Sequence, residues 1–185
     1  ACPIWPFADA APTAWYHDGV HYCLENGLMH GISADKFLPN GSTTRAQLVT
    51  VLWRLAGSHE TTSAVSFGDV ADGAWYAKAV RWAAGSGVVK GYDSEHFGPD
   101  DAVTREQMVT ILYRYAQYKG ADVSVGEDTN ILSFADAMTV SEYAIPAMQW
   151  ACGSGLVTGI ARDGGMILAP KDTTTRVQMA TLMMR

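Results

Sequence analysis

The sequence repeats itself three times along its 185 residues, and this repeat restricts the possible folds more than any other feature. A Phe-x-Asp segment opens each copy, at 7–9, 67–69 and 134–136, and a Thr-Arg-x-Gln segment follows at 44–47, 104–107 and 175–178. Short repeats bury their apolar faces against neighbouring repeats and are unstable alone. We therefore expect three copies, residues 1–57, 58–118 and 119–185, that fold together as one unit.

The first two copies align without a gap, so that Phe7 matches Phe67 and Arg45 matches Arg105. The third copy gains one residue before Trp150, and its loop from Gly159 to Pro170 is longer than its counterparts. We expect the structure of the third copy to differ at this loop.

Each copy has the pattern of helix, turn and helix. The first helix is predicted from about Trp15 to Asn26, with counterparts that start near Trp75 and Tyr143. Each is followed by a glycine suited to a left-handed C-terminal position, and these are Gly27, Gly87 and Gly155. Since a short extended segment comes next, we predict an all-α fold with short extended segments.

The second helix of each copy is apolar around most of its circumference. In the first copy only Gln47, Thr50 and Arg54 are polar, at the spacing of one helical face. The same stripe recurs as Gln107, Thr110 and Arg114, and as Gln178, Thr181 and Arg185. Such helices are typically buried, so we expect the three second helices to pack at the centre in approximate threefold symmetry.

The threonine and glutamine of Thr-Arg-x-Gln fit a helix capping box. In this motif the threonine hydroxyl accepts a hydrogen bond from the backbone one turn into the helix, and the glutamine side chain reaches back. We predict this capping role for three pairs, which are Thr44 with Gln47, Thr104 with Gln107 and Thr175 with Gln178.

The arginines of the same segment need another explanation. Arg45, Arg105 and Arg176 fall in the first helical turn, where the helix dipole disfavours a cation. One hypothesis is an anion site, in which the guanidinium and free backbone N–H groups bind a carboxylate or phosphate. The alternative is an ion pair within the protein, to the aspartates of the Phe-x-Asp segments, Asp9, Asp69 and Asp136.

Aromatic residues favour a sugar as the ligand of such a site. Trp15, Trp75 and Tyr143 occupy matching positions at the start of the first helix, and flat rings of this kind stack on sugar rings. A second matching set, Tyr22, Trp82 and Trp150, is predicted to belong to the core.

Composition excludes several other classes of partner. A net charge of −6 and a pI near 5.2 argue against binding to nucleic acid, which requires a basic surface. No apolar stretch is long enough to cross a membrane, so no membrane insertion is expected. The first ten residues lack the pattern of a signal peptide, so we expect a mature form or an excised piece.

Other candidate sites are weaker. His17 and His21 could form half of a metal site, but no third ligand is evident, and Asp93–Asp101 lacks the spacing of a calcium-binding loop. Cys23 is predicted to be a small core residue, whereas Cys2 could pair with Cys152 if the chain ends meet. Since no nucleophile elbow, phosphate-binding loop or dinucleotide fingerprint occurs, we expect no enzyme, cofactor or metal.

These features together resemble a triple S-layer homology domain, and the resemblance extends from Phe7 to Arg185. It implies a three-pronged helical prism around a central three-helix bundle, a pseudo-trimer within one monomeric chain. It also implies a secreted module at the bacterial cell surface that anchors proteins non-covalently by binding anionic secondary wall polysaccharide, typically pyruvylated. The implied ligand-binding residues are Arg45, Arg105, Arg176, Trp15, Trp75, Tyr143, Gly31, Gly91 and Gly159.

The chain also departs from the family pattern. The last residue of the signature is glutamine in all three copies, where the family often has glutamate. Because the third copy has Tyr143 in place of tryptophan and a longer loop, we expect its groove to be altered or silent. An alternative function is a protein-interaction or surface-layer self-assembly module in which the arginines are structural.

Overall fold

The computed structural model describes residues 5–127 and 129–185 and is mostly helical, in agreement with the predicted all-α class. The first two copies contain α1 (His17–Glu25), α2 (Arg45–Leu55), α3 (Ala77–Gly85) and α4 (Arg105–Tyr118). The third copy contains α5 (Ile145–Gly153) and α6 (Arg176–Met184). Three short 3-10 turns, Ile131–Ser133, Ala137–Thr139 and Glu142–Ala144, precede α5. None of the described helices has the length and apolar character needed to cross a membrane.

The three predicted capping boxes are present. The hydroxyl of Thr44 accepts a hydrogen bond from the backbone N–H of Gln47 at 3.2 Å, and the Gln47 side chain accepts one from the N–H of Thr44 at 3.1 Å. The same reciprocal pair begins α4 and α6. The start of each second helix is thus determined by residues that are local in sequence.

The first helix of each copy ends as predicted but begins later. Gly27, Gly87 and Gly155 have φ values of 64°, 77° and 75°, which L side chains adopt only at a cost. The helix begins at His17 in the first copy and at Ala77 in the second, so Trp15 and Trp75 lie in the turn before it. Tyr143 lies in the 3-10 turn before α5.

Each second helix packs mainly against the first helix of the next copy. The pairs are α2 with α3, α4 with α5, and α6 with α1, so the last pair returns to the first copy. The sequence predicted that the three second helices would pack at the centre, and Leu52 of α2, Leu112 of α4 and Met183 of α6 belong to one buried cluster. A cavity of about 580 Å³ lies near the C-terminal ends of these helices, and Leu52, Leu112 and Leu182 line it.

A ring of backbone hydrogen bonds joins the segments that precede the second helices. The N–H of Thr43 donates to the carbonyl of Thr174 at 2.8 Å, that of Thr174 to Val103 at 2.8 Å, and that of Val103 to Thr43 at 2.9 Å. Each copy therefore donates to one neighbour and accepts from the other. Because backbone groups that leave water need such partners, the ring links the three copies at a buried point.

The hydrophobic core also crosses the boundaries between copies. One cluster contains Val20 and Leu48 from the first copy, Val80 and Met108 from the second, and Met179 from α6. A second cluster joins Val109 of α4 to α5 and its surroundings. The main cluster is thus shared by all three copies, whereas the second lies mostly within the third copy.

The longer loop of the third copy forms a β-hairpin. Strand β1 (Ile160–Arg162) pairs antiparallel with β2 (Gly165–Ile167), with Ile160 opposite Ile167. The additional residues of this copy are thus accommodated at the surface, outside the helical core.

The cysteines have different positions. Cys23 is fully buried, as predicted, and burial raises the pKa of its thiol to about 12. Cys152 is half-buried on α5. Cys2 lies outside the described residues, so its suggested pairing with Cys152 stays a prediction.

Candidate binding grooves

The arginines of the Thr-Arg-x-Gln segments bind the backbone of the next copy. Arg45 donates from Nε to the carbonyl of Phe97 at 2.8 Å and from a terminal nitrogen to that of Lys90 at 2.9 Å. Arg176 makes the same two bonds to Phe37 at 2.9 Å and to His30 at 2.8 Å. Both guanidinium groups also lie over the ring of the phenylalanine, within 4.8 Å of its centroid.

The aspartates of the Phe-x-Asp segments bind the same loops from the other side. Asp69 accepts hydrogen bonds from the backbone N–H groups of Phe97 and Gly98 at 2.8–3.0 Å. Asp9 does so with Phe37 and Leu38, and Asp136 with Leu168 and Ala169. The hydrogen bond from Phe37 lowers the pKa of Asp9. Within the described residues, the suggested ion pairs between these aspartates and the three arginines do not form.

The backbone N–H groups at the start of the second helices are also occupied. Those of Arg45 and Ala46 donate to the carbonyls of Asp101 and Pro99, both at 2.9 Å. The equivalent groups of α4 and α6 bind the loops of the third and first copies. The helix termini therefore offer no free amides to an anion, and any anion must bind through side chains.

A cavity of about 330 Å³ next to Arg105 combines residues from all three copies. Arg105 belongs to the second copy, Trp15 to the first and Gly159 to the third, so the cavity brings three predicted site residues together. The Trp15 side chain is 68% exposed, so its ring is free to contact a ligand. We refer to this space, lined by Trp15, Arg105, Thr158, Gly159, Thr174, Gln178, Thr181 and Arg185 among others, as the Arg105 cavity.

Arg105 is held less tightly than the other two arginines. Among the described residues, the only hydrogen-bond acceptor of its guanidinium is the carbonyl of Leu168, which Nε reaches at 2.8 Å. The position held by Phe37 and Phe97 in the first two copies is Leu168 in the third copy, so Arg105 lacks the phenylalanine ring on which the other two guanidinium groups lie. Arg105 is consequently half-buried, whereas Arg45 and Arg176 are each only 6% exposed.

The polar stripe of α6 forms one wall of the Arg105 cavity. Gln178, Thr181 and Arg185 all line it, although the sequence indicated only that they share a helical face. Thr181 donates to the carbonyl of Val177 at 2.9 Å, and Arg185 donates to that of Leu156 at 3.1 Å. The regular spacing of these polar residues in all three copies was the sequence feature that could have indicated their place in the site.

Tyr143 lies in a different place from the third-copy loop. Burial raises its pKa, and Arg114 and Arg45 are close enough to oppose this shift. Its hydroxyl donates to the carboxylate of Glu106 at 3.3 Å. The altered features of the third copy, its tyrosine and its longer loop, therefore belong to two different grooves.

Trp75 is 63% exposed and packs edge-on against Tyr76 at a centroid distance of 5.1 Å. The described contacts do not join it to any of the three arginines. Its assignment as a ligand-binding residue stays a prediction from the sequence.

The predicted site glycines, Gly31, Gly91 and Gly159, are required for packing. A Cβ at Gly31 would lie 2.6 Å from the ring of Phe7, and one at Gly159 would lie 2.5 Å from that of Phe134. Gly91 is in the same relation to Phe67. Each glycine thus makes room for the phenylalanine that opens its copy.

The weaker candidate sites involve local contacts. The rings of His17 and His21 stack at 5.7 Å, and His17 Nδ1 lies 3.1 Å from a carboxylate oxygen of Asp18. In the acidic loop, Asp93 accepts hydrogen bonds from the N–H groups of Glu95 and His96. In the part of the chain that the structure describes, no three potential ligands are grouped around a metal site.

Comparison with known proteins relates these features to a family. The chain is similar to the endoglucanase of Bacillus sp. (strain KSM-635), with 31% identity over 95% of the chain and 18% of that protein. It is 26% identical to the surface-layer 125 kDa protein of Lysinibacillus sphaericus, over 100% of the chain and 16% of that protein. A cellulosome-anchoring protein of Acetivibrio thermocellus is 27% identical over 68% of the chain and 29% of its own length.

The chain thus spans less than a third of each of these relatives. A surface location, which the family resemblance implies, agrees with the surface-layer and anchoring proteins among them. The family model of the S-layer homology domain matches two segments of the chain, which contain the first two Phe-x-Asp and Thr-Arg-x-Gln pairs. Residues 6–49 and 66–109 are therefore similar to S-layer homology repeats.

Proposed function

We propose that this chain is a non-covalent anchoring module that binds an anionic, pyruvylated secondary wall polysaccharide of the bacterial cell surface. The observation that supports this most is the Arg105 cavity, in which a guanidinium group and an exposed indole ring face one space. A guanidinium binds carboxylate strongly, and an indole ring stacks on a sugar. The relatives named for the surface layer and for anchoring are consistent with this function.

The proposal includes the architecture that brings the grooves together. We propose that residues 119–185 form a third repeat of the same family, beside residues 1–57 and 58–118. The hydrogen-bond ring and the three helix pairs favour a pseudo-threefold, three-pronged arrangement in one monomeric chain. Arg45, Arg105 and Arg176, with Trp15, Trp75 and Tyr143, would then lie at related positions between the repeats.

The named catalytic relatives do not change this proposal. The endoglucanase is much longer than its matched segment, which covers 18% of it. The matched segment is the part that resembles the S-layer homology repeats, so no catalytic activity is proposed for this chain.

A test compares two ligands that differ only in the presence of the ketal. One is an aminosugar oligosaccharide that bears a terminal pyruvate ketal, and the other is the same oligosaccharide without the ketal. Because the ketal adds the carboxylate, we expect calorimetry to detect binding of the first and at least tenfold weaker binding of the second. Equal affinity for both, or no affinity for purified wall polysaccharide, would contradict the proposal.

A specific observation favours a second candidate, a protein-interaction or surface-layer self-assembly module with structural arginines. Arg45 and Arg176 each bind two carbonyl groups of the next copy, which is a structural role. For this candidate, neither oligosaccharide binds, and the chain forms oligomers that analytical ultracentrifugation detects as its concentration rises.

A further inference from the structure

We propose that the chain has one site for the carboxylate-bearing sugar, the Arg105 cavity, and that the grooves beside Arg45 and Arg176 do not bind it. This inference depends on the proposed function. It also identifies the residues that select the ligand and the number of ligands that bind. The three grooves look alike in sequence, because each has an arginine from the same motif, but their contacts differ.

The first difference is the number of free donors on each arginine. The terminal guanidinium nitrogens of Arg105 have no acceptor among residues 5–127 and 129–185, since only its Nε donates. Arg45 and Arg176 each use Nε and one terminal nitrogen on the neighbouring copy, and both are buried. Two-pronged binding of a carboxylate needs a free and accessible edge of the guanidinium, which Arg105 has.

The second difference is an unused hydroxyl group. Thr174 lines the Arg105 cavity, is 1% exposed, and its Oγ1 has no hydrogen-bond partner within the described chain. Buried hydroxyl groups are usually hydrogen-bonded, so an unpaired one beside a cationic cavity indicates a missing ligand atom. Val103 holds the matching position in the second copy and has no such group. Thr43 holds it in the first copy, and its buried hydroxyl is also unpaired in the described chain, so this feature distinguishes Thr174 from Val103 but not from Thr43.

The third difference is a buried carboxylate of the protein itself beside Tyr143. Glu106 is 4% exposed and accepts hydrogen bonds from the N–H and hydroxyl of Ser141, both at 2.9 Å. It also binds Lys171 at 2.6 Å and the hydroxyl of Tyr143, on which Arg45 acts to lower the pKa. The matching positions in the other copies are Ala46 and Val177, so only the second copy introduces this charge.

Glu106 therefore makes the surroundings of Tyr143 different from those of Trp15. It accepts a hydrogen bond from the Tyr143 hydroxyl at 3.3 Å, and we expect its negative charge to disfavour a second carboxylate beside this ring. Arg176 has the carboxylate of Asp9 as a charged neighbour, and its guanidinium is held by two carbonyls and the ring of Phe37.

The Arg105 cavity suits one sugar ring rather than a long stretch of polymer. Its volume of about 330 Å³ is at the lower end of small-molecule pockets. Trp15 would stack on the sugar face, while Arg105 binds the ketal carboxylate and Thr174 donates to one of its oxygens. The recognised unit is thus a single carboxylated sugar, most simply the terminal residue of a chain.

The test uses isothermal titration calorimetry of the full chain with an oligosaccharide that ends in a pyruvate ketal. The main comparison is Trp15→Ala against Trp75→Ala, because both side chains are more than 60% exposed and their removal leaves the core intact. We expect a stoichiometry of one, at least tenfold weaker binding for Trp15→Ala, and less than a twofold change for Trp75→Ala.

Two further pairs test the polar contacts. Arg105→Lys and Thr174→Val should each weaken binding at least fivefold, whereas the matched changes Arg45→Lys and Thr43→Val should leave the affinity of folded protein unchanged. Thr43 is a suitable control because its hydroxyl is also buried without a partner in the described structure. Circular dichroism and the melting temperature establish that each variant is folded.

The outcomes separate this inference from the proposed function. If wild-type protein binds neither this oligosaccharide nor purified wall polysaccharide, both are wrong. If it binds with a stoichiometry of two or three, or if Trp75→Ala weakens binding as much as Trp15→Ala, the single-site inference is wrong and the proposed function stands.

Discussion

At the scale of single residues, charged side chains hold the backbone of loops instead of pairing with one another. The loop residue Phe97 is bound on its carbonyl by Arg45 and on its N–H by Asp69. Phe37 is bound in the same way by Arg176 and Asp9, and Leu168 by Arg105 and Asp136. Because buried backbone groups are costly to leave unpaired, these charges stabilise the loops that join the copies.

One prediction concerns the aspartate of the second copy. Asp69→Asn removes a charged acceptor of two backbone N–H groups, and we expect the free energy of unfolding to fall by about 1–3 kcal/mol. Urea denaturation at neutral pH measures this change. Asp100→Asn, at an exposed position in the same loop, is the control and should change stability by less than about 0.5 kcal/mol.

A second prediction concerns the pH dependence that Glu106 contributes. Burial raises the pKa of this carboxyl, but hydrogen bonds from Lys171 and Ser141 lower it by more, so the folded-state pKa lies below the ordinary value of 4.5. A lowered pKa stabilises the fold above pH 4.5, and this stability is lost as the pH falls through the folded-state value.

Glu106→Gln should therefore unfold with a weaker pH dependence than wild-type protein in the acidic range. Chemical denaturation at a series of pH values from about 6 down to about 3 measures both slopes. Asp9 and Asp69, whose pKa values are also lowered, contribute equally to both proteins and cancel in the comparison. Parallel slopes would show that Glu106 does not contribute.

These residues show what the sequence could predict. The capping of α2 by Thr44 and Gln47 and the left-handed Gly27 depend on local patterns, so both were predicted correctly. The acceptors of Arg45 are Lys90 and Phe97, in another copy, and backbone acceptors have no sequence signature. The sequence predicted single residues of the Arg105 cavity but not the cavity itself. No local pattern shows which residues of the three copies come together.

At the scale of elements, the important finding is that helices pair between copies. The second helix α2 packs on α3, although α1 is its neighbour in sequence. The sequence showed that α2 is apolar nearly all around, which indicates burial but does not identify its partners. The turn after each first helix must also be compact, because its glycine touches the phenylalanine that opens the same copy.

The prediction at this scale is for the turn of the first copy. Gly31→Ala places a Cβ against the ring of Phe7, and we expect a loss of about 1–3 kcal/mol in the free energy of unfolding. Gly73→Ala is a matched control, since a Cβ there has no neighbour within 4 Å among the described atoms. Thermal and urea denaturation should show the difference, and equal effects at the two glycines would disprove the packing role.

At the scale of the whole molecule, the three copies form a closed set of contacts. The third copy supplies α5 to α4 and α6 to α1, and it completes the hydrogen-bond ring through Thr174. Part of the main core, including Val177 and Met179, also comes from it. Removing any copy therefore exposes surfaces on both of the others.

The corresponding prediction compares a truncated chain with a cut chain. Deletion of residues 119–185 should abolish cooperative thermal unfolding, because α1 and α4 lose their partners. Cleavage of the full chain at a protease site placed between residues 121 and 126 should leave the two pieces associated and folded, since that segment is exposed and outside regular secondary structure. Gel filtration and circular dichroism distinguish these results.

The hydrogen-bond ring through Thr43, Val103 and Thr174 also determines how the molecule responds to mechanical force. A pull on either end of the chain cannot peel away one copy alone, because that copy shares a helix pair and a ring bond with each neighbour. The load is thus distributed over contacts with both neighbouring copies. Rupture force in single-molecule pulling should therefore appear as one large event rather than three smaller ones.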